Sequence, residues 1–262
     1  MSKLLVPDYS GAKVRPSPNF GPRNNGILPD AIILHYTGMA SGALAEARLC
    51  DGSTEVSAHY LVHEDGCIVQ MVPEAARAWH AGASFWAGAT DMNSHSIGIE
   101  IANAGHPDAD PSKPAPAFEG VQIQAVIALC RDIIQRWNIK PERVLAHSDI
   151  SIGRKIDPGE MFPWEELHRA GIGHFVQPSP IRGGRFFARG DSGQPVEALQ
   201  SMLALYGYKV HITGEFDLET EKVVNAFQRH FRPERIDSVA DASTIETLHR
   251  LLKSIPTHQV IA

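Results

Sequence analysis

A chain of 262 residues with 43% hydrophobic and 21% charged side chains has the composition of a globular protein with one large domain, or a large and a small one, and not of a disordered, collagen-like or coiled-coil chain. Its 24 lysines and arginines against 30 aspartates and glutamates leave a net charge of −6, the wrong sign for a protein that grips nucleic-acid phosphates. No apolar run approaches the roughly 18 residues needed to cross a bilayer.

The first segment, residues 1–30, is rich in Pro, Gly and Asn and reads as an irregular arm hugging the surface. Its start, Met1-Ser2-Lys3-Leu4-Leu5-Val6-Pro7, falls short of the roughly 7–15 apolar residues of a secretory signal, and no lipobox cysteine is near. A cytoplasmic address is expected, with periplasm or cell envelope as the alternative. The three cysteines, Cys50, Cys67 and Cys130, are too widely spaced for a zinc knuckle and fit small side chains in a reducing compartment.

Ala31-Ile32-Ile33-Leu34-His35-Tyr36 predicts a central strand buried on both faces. Residues 43–50 predict a short helix. Residues 57–62 and 67–72 predict two strands joined by His63-Glu64-Asp65-Gly66, whose Asp-Gly is a hairpin signal. Residues 79–93 read as an aromatic loop. In residues 96–102 the isoleucines at 97, 99 and 101 share one face and Glu100 takes the other, as in a half-buried strand presenting a carboxylate. After the proline-rich stretch 107–116, helical spacing runs from Val121 to Trp137, and Pro141 breaks it. Residues 144–147 predict a strand that ends in His147, followed by a polar loop to Pro158. Phe162-Pro163-Trp164 then opens a helix over 165–170.

Pro and Gly punctuate 171–184, and a linker is expected over 174–188. Three helical patterns follow. The first stops at Gly207, Asp217 is placed to cap the second, and Asp241 the third. The expected division is 1–173, linker 174–188, a helical module 189–253 and a tail 254–262.

His35 and His147 stand near the ends of two strands, and Asp157 lies in a loop that can fold back beside His147. Two histidines and a carboxylate suit a catalytic zinc site, which leaves a fourth position to water. Spacing alone does not single out this set. The local wording does: Ile33-Leu34-His35-Tyr36-Thr37, the segment from Ser94 to Glu100, and His147-Ser148-Asp149-Ile150-Ser151-Ile152-Gly153-Arg154-Lys155-Ile156-Asp157. These segments, with Ala78-Trp79-His80-Ala81-Gly82 and Ser57-Ala58-His59-Tyr60, resemble the zinc-dependent N-acetylmuramoyl-L-alanine amidases, whose fold the peptidoglycan recognition proteins share. The resemblance runs from about residue 15 to 170. It implies an α/β fold with a mixed central β-sheet flanked by helices, one Zn2+ held by His35, His147 and Asp157, and a catalytic pair of Glu100 and Lys155. The bond cut would join N-acetylmuramic acid, or its 1,6-anhydro form, to L-alanine.

His80, Trp79, Asn93 and Arg154 are candidates for contacts in the substrate cleft. His59 reads as a structural histidine or as a partner of a ligand, and His63, His95 and His106 as solvated. Gly190-Asp191-Ser192-Gly193 mimics a serine-protease segment, but no strand-rich barrel sequence surrounds it.

Beyond the linker, Leu199-Gln200, Tyr206-Gly207-Tyr208, Phe216-Asp217 and Phe227-Gln228 resemble the small three-helix peptidoglycan-binding domain, with 232–240 departing from its usual glycine-containing turn. The expected partners are therefore peptidoglycan or muropeptide, with no nucleic acid, no membrane span and a monomeric state. A non-catalytic peptidoglycan receptor on the same fold is the alternative.

Overall fold

Short β-branched runs form a six-stranded sheet ordered β1 (Lys13–Val14), β5 (Ile68–Gln70), β4 (Tyr60–Val62), β7 (Ser96–Ile101), β3 (Ala31–Tyr36) and β8 (Val144–Ala146). Only β4 and β5 pair antiparallel, across the expected hairpin, where Gly66 takes φ +81°. All other neighbours are parallel. A separate antiparallel pair joins β2 (Phe20–Pro22) to β6 (Ala76–Ala78). The computed structural model describes residues 6–107 and 113–255. Residues 108–112 of the expected proline-rich loop, 1–5 of the arm and 256–262 of the tail lie outside it.

Register fixes which residues share a face. Ile32 pairs with Ile97, Leu34 and Tyr60 with Ile99, and Val62 with Ile101. This apolar face joins Ile123, Val126, Ile127 and Ile133 of α3 (Gly120–Trp137) in one core. The other face carries Leu61, which pairs with Glu100, and Glu100 pairs with His35. There α1 (Gly42–Leu49), capped by Ser41, sets Ala45 and Leu49 against Leu61 and Val69. Parallel strands gather their carboxyl ends at one rim, the usual position of a site in such sheets. At that rim β3, β7 and β8 stand side by side.

The structure departs from the sequence expectations in three places. The arm is not irregular throughout: Arg15 and Ser17 donate backbone N–H bonds to the carbonyls of Gln70 and Met71, and Arg23 is buried on the carbonyls of Glu74, Ser94 and Ser96. An arm lying on a sheet edge satisfies its own amides by pairing with it. β7 is buried along all but Glu100 rather than half-buried, because strands flank it on both sides, α3 packs on its isoleucines and the His80 ring lies over Gly98. His147 opens the one-turn helix α4 (His147–Ile150) instead of ending a strand. Its turn is fixed by Asp149, whose carboxylate accepts from the Ala146 N–H at 2.9 Å.

The short helix α2 (Met92–His95) precedes β7, and α5 (Trp164–Arg169) follows the loop that carries Asp157. Residues 174–188 then run without helix, held by Ser179 to Thr247 and by a Phe187–Ala240 bridge. The last three helices are α6 (Gln194–Tyr206), α7 (Leu218–Phe231) and α8 (Ala242–Ser254). Where a glycine turn was wanting, buried Arg232 fills the α7–α8 corner and donates to Thr244 Oγ1 at 2.7 Å.

Candidate metal centre

His35 is the last residue but one of β3, and Glu100 sits in register with it on β7. His147 follows β8, whose Ala146 pairs with Leu34, so it stands one step beyond the pairing, level with His35. The loop after α4 returns Asp157, and its backbone carbonyl accepts from the Ser148 N–H at 3.0 Å. His35 Nδ1, His147 Nδ1 and Asp157 Oδ2 form a triangle 3.0 Å on each side, and all three residues are buried. Donors bound tetrahedrally at about 2.0–2.1 Å stand roughly 3.3 Å apart, so the triangle fits zinc.

The outward nitrogens strengthen this reading. If both Nδ1 atoms present lone pairs, both Nε2 atoms carry hydrogen and need acceptors. His147 Nε2 has the Ala81 carbonyl at 3.2 Å, and His35 Nε2 has His80 Nδ1 at 3.0 Å. His80 is then protonated on Nε2, which faces Ser96 Oγ at 3.4 Å, and Ser96 in turn donates to the Met92 carbonyl. Burial, then the neighbouring His147, holds His35 down at about 4, and burial with the nearby rings pushes His80 well below the usual range. Both rings are thus neutral at cellular pH, as this chain requires. For Asp157, burial works against ionisation, but the two histidines outweigh it and pull the carboxyl down.

A cleft of about 320 Å³ opens over the triangle, lined among others by Tyr36, Arg48, Trp79, Glu100 and Lys155. Glu100 is raised well above the carboxylate range by burial and then by the charge of Asp157, with Lys155 opposing. Its Oε2 is buried with no hydrogen-bond partner among the described residues. A carboxyl left so in a cleft floor is suited to exchange a proton with a bound molecule.

The remaining expected contacts sort by their partners. Trp79 and His80 line the cleft, but the His80 nitrogens are engaged by His35 and Ser96. Asn93 lies behind the wall, where its Oδ1 accepts the N–H groups of His80 and Ala81 at 2.9 and 2.8 Å. Arg154 donates to the carbonyls of Ala81 and Ala83 and faces a neighbouring groove. Both therefore shape the 80–83 segment rather than meet the cleft. His59 is a structural histidine that accepts from the Gly98 N–H at 2.9 Å. His106 is not solvated: its side chain bridges Tyr36 OH and Glu160, at 3.1 Å to each. Ser96 and Tyr36 were missed as parts of the site. Ser96 meets His80 only because the loop after β6 folds the His80 ring onto β7, and Tyr36 is signalled only by its place after His35.

A family model described as N-acetylmuramoyl-L-alanine amidase matches residues 24–160, and one described as a putative peptidoglycan binding domain matches 192–248. The chain is 42% identical over 231 residues to the N-acetylmuramoyl-L-alanine amidase AmiD of Escherichia coli K12, covering 85% of this chain and 82% of that one. Among solved structures, AmiD from E. coli with the substrate anhydro-N-acetylmuramic acid-L-Ala-D-gamma-Glu-L-Lys superposes with a TM-score of 0.73 at 39% identity, over 91% of this chain and 92% of that one. AmpDh3 from Pseudomonas aeruginosa, in complex with anhydromuramic pentapeptide, gives 0.72 at 30% identity, over 98% and 100%.

Proposed function

The chain belongs to the N-acetylmuramoyl-L-alanine amidase family, and from that premise we propose how its own residues cut the amide between N-acetylmuramic acid and L-alanine. His35, His147 and Asp157 hold one zinc ion per chain. When bound, zinc supplies Lewis acidity, polarising an amide carbonyl and making a water acidic enough to attack at neutral pH. Glu100, which a cation bound beside it would hold ionised, takes the proton of the attacking water and returns it to the departing alanine nitrogen, so that an amine leaves rather than an amide anion. Lys155 sets its charge against the oxygen that turns negative as the carbonyl becomes tetrahedral. Trp79 offers a flat apolar face at the cleft wall for a sugar ring.

The observation that carries this reading is the buried His–His–Asp triangle beside a carboxyl oxygen left without a partner in the same cleft. The lining cations Arg48 and Lys155 favour a substrate bearing carboxylates. The anhydromuramyl peptides bound by both similar solved structures support 1,6-anhydro muropeptides as substrates here. The second match supports a wall-binding role for 189–253, which would raise the local substrate concentration. A monomer in the cytoplasm is the proposed state, where Cys50, Cys67 and Cys130 remain free thiols.

Glu100→Gln tests the central role. It keeps the side-chain shape and leaves the zinc ligands untouched, so zinc content stays at one per chain while kcat/KM falls by roughly 10²- to 10⁴-fold. An undiminished rate with zinc bound contradicts the assignment.

A further inference from the structure

α7 lies along the loop that carries the candidate ligands and reaches it at three points. His230 donates through Nδ1 to Asp149 Oδ2 at 2.6 Å, with both side chains inaccessible to solvent or nearly so. The other oxygen of Asp149 accepts from Tyr208 OH at 2.7 Å. The same carboxylate holds the Ala146 amide, the residue immediately before the ligand His147. Two turns back on the helix, the Lys222 stem packs so closely over Gly153 that a Cβ there would fall 2.6 Å from Lys222 Cδ. Arg229 pairs with Glu160 just past Asp157, and Glu160 leads through His106 to Tyr36 on the cleft wall.

These contacts fall near the start, in the middle and at the end of residues 147–160, the segment that presents His147, Lys155 and Asp157. A tether to the polymer needs only a linker of suitable length. It does not need a buried hydrogen bond to Asp149 and a part-buried ion pair to Glu160, each of which takes a donor from a carboxylate of the loop if its partner is removed. Apart from Ser148 N–H to the Asp157 carbonyl, the segment's own backbone bonds, such as Ser151 N–H to the His147 carbonyl at 3.1 Å, span only three or four residues, so its geometry also depends on what packs against it.

We propose that Arg229 and His230 are positioning residues for the metal loop, so that the C-terminal helices are a structural part of the catalytic centre as well as a substrate-binding unit. The proposal rests on the assignment of His147 and Asp157 as ligands. Its effect is on ligand placement, where the loss of an outer partner weakens metal binding by roughly 10- to 100-fold.

The full chain carrying Arg229→Met or His230→Phe tests it. The phenylalanine keeps the ring that stacks on Trp164, with centroids 3.8 Å apart, and removes only the donor. Two readouts are taken: amide hydrogen exchange of the metal-free chain, and zinc affinity by competition with a chromophoric chelator. The expected result is faster exchange confined to 147–160, including the Ser148 and Ser151 amides, with zinc bound at least roughly tenfold more weakly and kcat lowered while KM holds. Variants that lose only thermal stability, with exchange over 147–160 and zinc affinity as in the parent, overturn the proposal. If His230→Phe does not fold, Arg229→Met decides by the same criteria. A parent chain that takes up no zinc refutes the ligand assignment, and the exchange data still decide whether α7 holds the loop.

Discussion

A buried imidazole stays neutral only when its two nitrogens divide the work of donor and acceptor, and three rings around this centre do so. His59 accepts from Gly98 N–H and faces the Ala76 carbonyl with its other nitrogen at 3.1 Å. Burial, and then the charge of Arg23, holds it at about 3. The unfolded chain, with histidine near 6.5, takes up a proton that the folded chain refuses. Stability is therefore fully present above about pH 6.5 and declines as pH falls toward 3, by about 1.4 kcal/mol per pH unit for this group. His59→Gln keeps an acceptor for Gly98 and removes the titration. In urea unfolding of the metal-free chain, the stability difference between pH 7 and pH 5 should shrink by about 2 kcal/mol in this variant; an unchanged difference contradicts the account. That His35, His147 and Asp157 come together as a candidate metal site could be read from the sequence because their local wording is distinctive. The chain from His35 through His80 to Ser96 could not, since these residues meet only through strand register and a loop.

Helices in the second half of the chain announce their own ends. Asp217 Oδ1 accepts the Thr220 N–H and Asp241 Oδ1 the Thr244 N–H, each at 2.8 Å, as expected from the sequence. Asp217→Ala should destabilise the fold by about 1 kcal/mol. Asp241→Ala should exceed that, because buried Arg232 also leans on the Asp241 carboxylate. Equal losses in urea unfolding would show that Arg232 does not need Asp241. The elements that escaped the sequence are those held by tertiary bonds rather than by pattern. β1 and β2 are too short to show a period, and their amides pair with edges supplied from elsewhere in the chain. α4 is a single turn fixed by Asp149, whose partners Tyr208 and His230 lie far along the sequence.

Across the whole molecule, the net charge of −6 gives no hint of a cleft that sets Arg48 and Lys155 beside buried acids. The mixed sheet flanked by helices follows from the apolar runs of β3 and β7 and the spacing of α3, and the family resemblance agrees with it. Contact between the two halves was not legible, because Asp149, Glu160, Arg229 and His230 look like ordinary surface charges until the fold pairs them. Among the described residues, no helix is long and apolar enough to cross a membrane. The most direct test of the central claim follows the products of an anhydromuramyl tripeptide before chelation, after it, and after zinc is returned. The account predicts release of a peptide with a free L-alanine amine, abolished when zinc is stripped and restored by one equivalent per chain. Activity that survives complete removal of metal, or cleavage beyond the alanine, would contradict it.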